Sequence, residues 1–253
     1  MPLIVHTFGP AWDSIDISPY VVKLCTWLRL AGLPFEARVS DVRRTPNQKL
    51  PAVTLADGQV LADSAVIIER LTRQHGDPLG DARLTPVERA SQRALQALLE
   101  SELYFASLWR RWVPESGWVL LKPEIERYLL QAGIPGFVAG FVAGRVRAQV
   151  IAQLRAQGMG RHSEAEIDAI ALSAWQAVAQ LLGESPYVAG DEPCSCDATL
   201  FAFVHAQLSS PFDTPARRWM LAEATLPAYH ARLLARAWPE RAAAASVVAA
   251  GAG

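Results

Sequence analysis

Apolar positions in the first 76 residues alternate between short strand-like runs and helical spacing, whereas beyond residue 85 helical spacing takes over. Leu3–Phe8 is a strand candidate, followed by a loop from Gly9 to Ile17 that carries Pro10, Trp12 and three small polar residues. Next, Val21, Leu24, Cys25, Leu28 and Ala31 repeat at helical spacing. Ser18 is a favoured N-cap and Pro19 a favoured first helical residue, so a helix starts there and ends at Gly32 and Pro34. Phe35–Val39 reads as a second strand, and Asp41–Lys49, broken by Pro46 and Asn47, as irregular. Ala52–Leu55 and Val60–Ala62 flank Asp57-Gly58, the tip of a hairpin. Asp63-Ser64 then opens a helix with Val66, Ile67, Ile68 and Leu71 apolar, stopped at Gly76. The order βαβ then ββα predicts one small α/β unit over residues 1–76.

Residues 77–84 (DPLGDARL) have the composition of a linker. From 85 to about 240 the pattern predicts an all-helical unit. Thr85-Pro86-Val87-Glu88 is a capping box with proline at the first helical position, and the helix it starts can run to Pro114. Further helices are expected at Pro123–Ala132, Pro135–Gln157, Ser163–Gly183 and Ser195–Leu208, with a pair over Pro215–Trp238. Ser163 with Glu166 makes another capping box. Gly136, Gly140 and Gly144 recur every four residues, which fits a close crossing of soluble helices. The low-complexity tail, 241–253, is expected to fray.

Composition narrows the function classes. With 51% hydrophobic and 19% charged residues the chain can bury a core, and a net charge of -1 gives no global case for nucleic acid. Ser107–Arg161 is locally basic, with Arg110, Arg111, Lys122, Arg127, Arg145, Arg147, Arg155 and Arg161 against three acids; it reads as a solvated helical face. Three cysteines, no Cys-x-x-Cys and no signal peptide fit a reducing cytoplasm, and Cys194 and Cys196 read as small side chains at a helix start. No window reaches the ~18 apolar residues of a membrane span. No metal-ligand pattern stands out.

Three local features carry chemistry together. The Ser18 hydroxyl, at a helix N-terminus, could donate to a ligand thiolate that the helix dipole also favours, with Tyr20 a second possible donor. Lys49-Leu50-Pro51 enters the third strand; a tight, cis entry would leave the Leu50 N–H and C=O free to pair with a peptide-like ligand, and Lys49 could meet a carboxylate. Ser64 and the backbone N–H groups beside it offer an anion site for an α-carboxylate, with Asp63 placed for an α-amino group.

In this order and spacing, SPYVVKLCTWLRLAGLPFE, KLPAVTL and LADSAVIIERL resemble the active-site helix, cis-proline strand and glutamyl-binding turn of cytosolic glutathione transferases. The long Gly9–Ile17 loop, AQGMGRHSEAEI and YVAGDEPCSCDATLFAFV resemble the failed-axon-connections and metaxin-like branch of that superfamily. The resemblance implies a thioredoxin-like domain followed by an all-helical one, and glutathione as co-substrate without a metal. It makes Ser18 the thiol-activating hydroxyl, has Leu50 pair with the cysteinyl part and Pro51 cis, and gives Asp63 and Ser64 the γ-glutamyl end. Asp197 becomes the buried acid of a helix-capping motif. That motif usually starts with Ser or Thr, and here Cys194 stands there, so Ser195 takes the cap or the helix start is weaker by ~1 kcal/mol. An interdomain pocket for a hydrophobic electrophile is expected to use Trp12, Tyr104, Trp109, Trp112 and Trp118. A homodimer is implied by analogy.

The same residues admit two other functions. One is a non-catalytic interaction protein of metaxin type, using a basic, Trp-rich helical surface. The other is glutathione-dependent reductase or dehalogenase chemistry, which often wants a cysteine where this chain has Ser18.

Overall fold

The computed structural model describes residues 3–244; most of the expected frayed tail, 245–253, lies outside them. Four strands, β1 (Leu3–Thr7), β2 (Phe35–Val39), β3 (Ala52–Thr54) and β4 (Val60–Ala62), form one sheet in the order β2-β1-β3-β4. β1 pairs parallel with β2 and antiparallel with β3, and β3 pairs antiparallel with β4. Helix α1 (Pro19–Leu30) makes the crossover from β1 to β2, and α2 (Ser64–His75) follows β4. This is the βαβ-ββα order of a thioredoxin-like unit. Between β2 and β3 the irregular stretch folds as two short 3-10 turns, Val42–Arg44 and Pro46–Gln48.

Helix α1 is buried on nearly all sides, and its two buried polar residues, Lys23 and Thr26, are both paired. It is clamped from two directions by polar bonds. The Trp27 indole N–H donates to Ser195 Oγ (2.8 Å), and the Trp238 indole N–H donates to Thr26 Oγ1 (3.0 Å). One continuous apolar core runs from Val5 through α1 to Tyr229 and Trp238, so sheet and helical unit share it.

The helical unit contains α3 (Pro86–Ala97), α4 (Tyr104–Trp112), α5 (Glu115–Gln131), α6 (Gly136–Gln157), α7 (Glu164–Leu182), α8 (Ser195–Leu208), α9 (Pro215–Ala222) and α10 (Thr225–Ala237). The capping boxes at Thr85/Glu88 and Ser163/Glu166 both form. The helix expected to run unbroken from Thr85 to Pro114 instead carries a π-turn, Leu98–Leu103, between α3 and α4. One extra residue in a turn rotates everything after it by about 100°. The Glu100 carbonyl in that turn accepts from the Tyr20 hydroxyl (3.0 Å), and its side chain pairs with buried Lys23 (2.5 Å).

Helix α5 starts at Glu115, not at Pro123, which lies inside it. Pro114 takes the N-cap position, and the α4–α5 corner closes on Gly117. A Cβ built there would lie 2.0 Å from the Arg110 carbonyl oxygen, so a glycine is needed. Of the three spaced glycines on α6, Gly136 and Gly140 face α5 side chains, Leu130 and Glu126; Gly144 meets nothing within 4 Å.

At α8 the Cys194 N–H donates to Asp197 Oδ2 (2.9 Å) and the Cys194 thiol donates to the same oxygen (3.2 Å). Ser195 does not take the cap. Its N–H is held by Asp81 (3.0 Å) and its hydroxyl by Trp27, so a residue of the 77–84 stretch caps a helix more than a hundred positions away. Arg83 of the same stretch donates to the carbonyls of Glu192 and Pro193, and Leu79 and Leu84 are buried.

Candidate active site

The sheet register gathers the three sequence features at one edge. His6, near the end of β1, lies opposite Ala52 at the start of β3, and Ala52 lies opposite Ala62 at the end of β4. The chain leaves β1 toward Ser18, enters β3 through Leu50-Pro51, and leaves β4 into Asp63-Ser64. All three therefore face the same end of the sheet.

Ser18 occupies the N-cap position of α1, yet its hydroxyl makes no capping bond. Pro19 has no N–H to give, and the chain is fixed by another group. The buried Asp16 carboxylate accepts from the Ser18 N–H (2.8 Å) and the Gly9 N–H (2.7 Å), closing the Gly9–Ile17 loop. Burial pushes the Asp16 carboxyl up to about 7, against the pull of these backbone donors. Arg127 donates to the Pro10 carbonyl and Arg111 to the Ile17 carbonyl (2.9 Å). Asp16 and Arg111 were not among the sequence candidates. An acid two residues before the helix start was the available signal for the first.

Tyr20 points elsewhere. Its hydroxyl donates to Glu100 in the π-turn, its ring lies edge-on to Tyr104 (5.0 Å), and burial drives its ionisation far above the ordinary tyrosine range. A hydroxyl spent this way is not placed to donate to a thiolate.

The Leu50–Pro51 bond is cis. Among the described residues the Leu50 N–H and C=O form no hydrogen bond, and the Thr45 hydroxyl holds the neighbouring Lys49 carbonyl (2.9 Å). The Lys49 side chain is exposed. Asp63 sits at φ +77, a conformation that costs a non-glycine residue about 1–3 kcal/mol, and caps α2 by accepting from Ala65 (2.9 Å) and Val66 (3.4 Å). Ser64 is buried beside it, without a hydrogen bond from its own hydroxyl to a described residue.

Beside Pro19 a narrow cleft of about 20 Å³ lies between α1, α4, α7 and α8. It is lined by Pro19, Tyr104, Leu108, Arg111, Trp175 and Phe203. Tyr104, Leu108 and Arg111 are spaced i, i+4 and i+7, one face of α4, and the π-turn sets that face toward α1. Of the expected pocket residues only Tyr104 lines this cleft. Trp109 packs with Ala106, Leu154, Met159 and Ile167 on another face of the same helix. Trp112 packs against Trp118 (5.6 Å between rings), and Trp12 lies edge-on to Phe212 (5.2 Å). Helical spacing from Tyr104 reaches Arg111, whereas Trp12, Trp109 and Trp112 lie on other faces.

In the locally basic stretch Lys122, Arg145, Arg155 and Arg161 are exposed as expected, while Arg110, Arg111, Arg127 and Arg147 turn inward. Arg110 pairs with Glu164 and Asp168, and Arg147 spans the carbonyls of Trp112 and Val113 above the Trp118 ring. With Trp109, Trp112 and Trp118 all buried, these cations brace the helical unit from within.

Behind the Gly9–Ile17 loop, His205 Nε2 accepts from the Ile15 N–H (3.1 Å). Its proton is therefore on Nδ1, which donates to His230 Nε2 (2.9 Å). Burial lowers His205 to about 3, aided by His230, and lowers His230 to about 4. The unfolded chain takes up protons near pH 6.5 and the folded chain refuses them. Stability from this pair is complete above pH 6.5 and is lost as pH falls toward 4, by about 1.4 kcal/mol per pH unit for each histidine. The Asp16 carboxyl, raised to about 7, works the other way over the same range, so urea titrations at pH 7, 6 and 5 are expected to show a net fall in the wild type that His205→Gln largely removes.

No thiol replaces Ser18. Cys25 is buried within α1, Cys194 and Cys196 are buried at the start of α8, and burial raises all three thiols above the usual range. Reductase or dehalogenase chemistry through a protein thiolate has no group to use at this helix start.

A family model described as glutathione S-transferase N-terminal domain matches residues 19–117, and one described as glutathione S-transferase, C-terminal domain, matches 171–233. An isoprene-epoxide–glutathione S-transferase of Rhodococcus sp. (strain AD45) is 32% identical over 210 residues, 79% of this chain and 84% of that one. The chain belongs to the glutathione transferase superfamily. Its relatives within that superfamily include failed axon connections of Drosophila melanogaster, 31% identical over 81% of this chain and 50% of that one. Metaxin-1 of Sus scrofa is 25% identical over 81% of this chain and 64% of that one. This transferase-family chain is thus similar both to a catalytic transferase and to proteins of the metaxin type. A solved glutathione S-transferase from Methylobacterium radiotolerans, in complex with glutathione sulfonate, shares the fold with a TM-score of 0.56 at 20% identity, covering 93% and 92% of the two chains. No helix among the described residues is long and apolar enough to cross a membrane.

Proposed function

We propose that this protein is a glutathione transferase that uses Ser18 to hold a glutathione thiolate for attack on a small hydrophobic electrophile. The observation that carries the reading is the Ser18 hydroxyl, which stands at the N-terminus of α1 without capping it. A free thiol has a pKa of about 8.5, and each unit by which a donor and a helix N-terminus lower it is worth about 1.4 kcal/mol. The Leu50 N–H and C=O would pair with the cysteinyl segment, and Ser64 with the α2 N-terminus would take the γ-glutamyl carboxylate. The electrophile would enter the cleft between Tyr104, Leu108 and Phe203. A small epoxide is the class suggested by the Rhodococcus relative's name.

The metaxin and failed-axon-connections relatives motivate a second reading, a non-catalytic interaction protein. The tryptophans count against it, since Trp109, Trp112 and Trp118 are buried and only Lys122, Arg145, Arg155 and Arg161 of the eight cations are exposed. The catalytic reading carries with it a homodimer in a reducing cytoplasm. It is tested by incubating the protein with glutathione and a small epoxide and following the conjugate by mass spectrometry. Saturable conjugation above the buffer rate is expected; a folded protein that forms none at millimolar glutathione overturns it.

A further inference from the structure

We propose that Arg111 is the catalytic group on the electrophile side of the cleft, donating to the oxygen that gains charge as a thiolate opens an epoxide; the proposal rests on the thiolate reading of Ser18. Arg111 is only 8% exposed and lines the cleft together with Pro19. Its Nη1 donates to the Ile17 carbonyl (2.9 Å), one residue from Ser18, and its Nε has no partner. No carboxylate among the described residues pairs with it; its guanidinium lies about 6 Å from the rings of Trp12 and Phe212. The adjacent Arg110 is instead fully engaged by two acids, Glu164 and Asp168.

A buried charge without a counter-ion is costly. Burial lowers Arg111 to about 10, which leaves it charged at neutral pH. Bracing one carbonyl needs only one N–H, which a neutral side chain could supply. Arg111 lines the cleft with three other polar side chains, Tyr104, Ser107 and Gln207, the last already bonded to Thr214 (3.3 Å), and it is the one cation among them. A ligand that becomes negative during reaction would complete the site.

Epoxide opening has that property. The sulfur electron pair forms a C–S bond, the C–O electrons move onto oxygen, and the alkoxide accepts a hydrogen bond from Arg111. It then takes a proton from water, balancing the thiol proton released when glutathione bound. An alkoxide is a poor leaving group and needs this donor. A halide leaving group does not.

The test compares styrene oxide with benzyl chloride as electrophiles, with glutathione binding measured by calorimetry. Arg111→Gln is expected to lose about 10–100-fold in kcat on the epoxide, about threefold or less on the chloride, with glutathione affinity kept. Arg111→Lys, which keeps the charge, should recover part of the epoxide rate, and it carries the comparison if the glutamine variant does not fold. Equal losses on both electrophiles, or an unchanged epoxide rate, reduce Arg111 to a brace and overturn the proposal. Wild-type turnover of benzyl chloride but not styrene oxide overturns it while leaving the thiolate reading intact; absence of glutathione binding overturns both.

Discussion

Ser18→Ala is expected to lower conjugation by about 100–1000-fold in kcat/KM while changing folding stability by less than about 0.5 kcal/mol. The two numbers separate two roles that a serine at a helix start can have. An N-cap hydroxyl replaced by alanine ordinarily costs about 1 kcal/mol, because an orphan N–H loses its partner. Here the hydroxyl makes no capping bond, and the carboxylate of Asp16 fixes the Ser18 backbone. Removing the hydroxyl should leave α1 in place and deprive the thiolate of its donor. Steady-state kinetics alongside urea unfolding reads both. A stability loss without an activity loss would make Ser18 a capping residue after all.

Asp197→Ala is expected to cost about 3–5 kcal/mol, enough to unfold a marginal protein at 37 °C. The carboxylate is fully buried and accepts from the Val188 N–H (2.9 Å), the Tyr229 hydroxyl (2.9 Å) and both the N–H and the thiol of Cys194. Truncation orphans these donors together, at about 1–3 kcal/mol apiece before any water enters. It also loosens the start of α8, whose Ser195 holds Trp27 in α1. Asp197→Asn keeps one acceptor oxygen and should lose less. Urea titration monitored at the tryptophans measures both. A loss below 1 kcal/mol for the alanine variant would show that the network relaxes.

The first 76 residues were readable because each turn carried its own chemistry. Ser18-Pro19 marks a helix start, Asp57-Gly58 a hairpin and Gly76 a helix end, and each acts over a few residues. The cis bond at Pro51 was left open by the residues alone and came from the family resemblance. What failed depended on partners far along the chain. The π-turn at Leu98–Leu103 leaves an apolar helical pattern on either side of it, so nothing local announces the 100° change of face. That change decides which α4 residues meet α1, and the tryptophans chosen by composition fell on other faces. Arg111 looked like one member of a basic run, although Arg110 beside it has two acids and Arg111 has none. Likewise the 77–84 stretch has a linker's composition, but Asp81 caps α8, a contact no local pattern encodes.

Glutathione binding at the end of the sheet where Ser18, Leu50-Pro51 and Asp63-Ser64 meet is measurable by titration calorimetry on the wild-type protein and Ser64→Ala. One site per chain is expected, with a dissociation constant in the micromolar to millimolar range, weakened about tenfold or more in Ser64→Ala by loss of a hydrogen bond to a carboxylate. No heat of binding for the wild type at millimolar glutathione would contradict it.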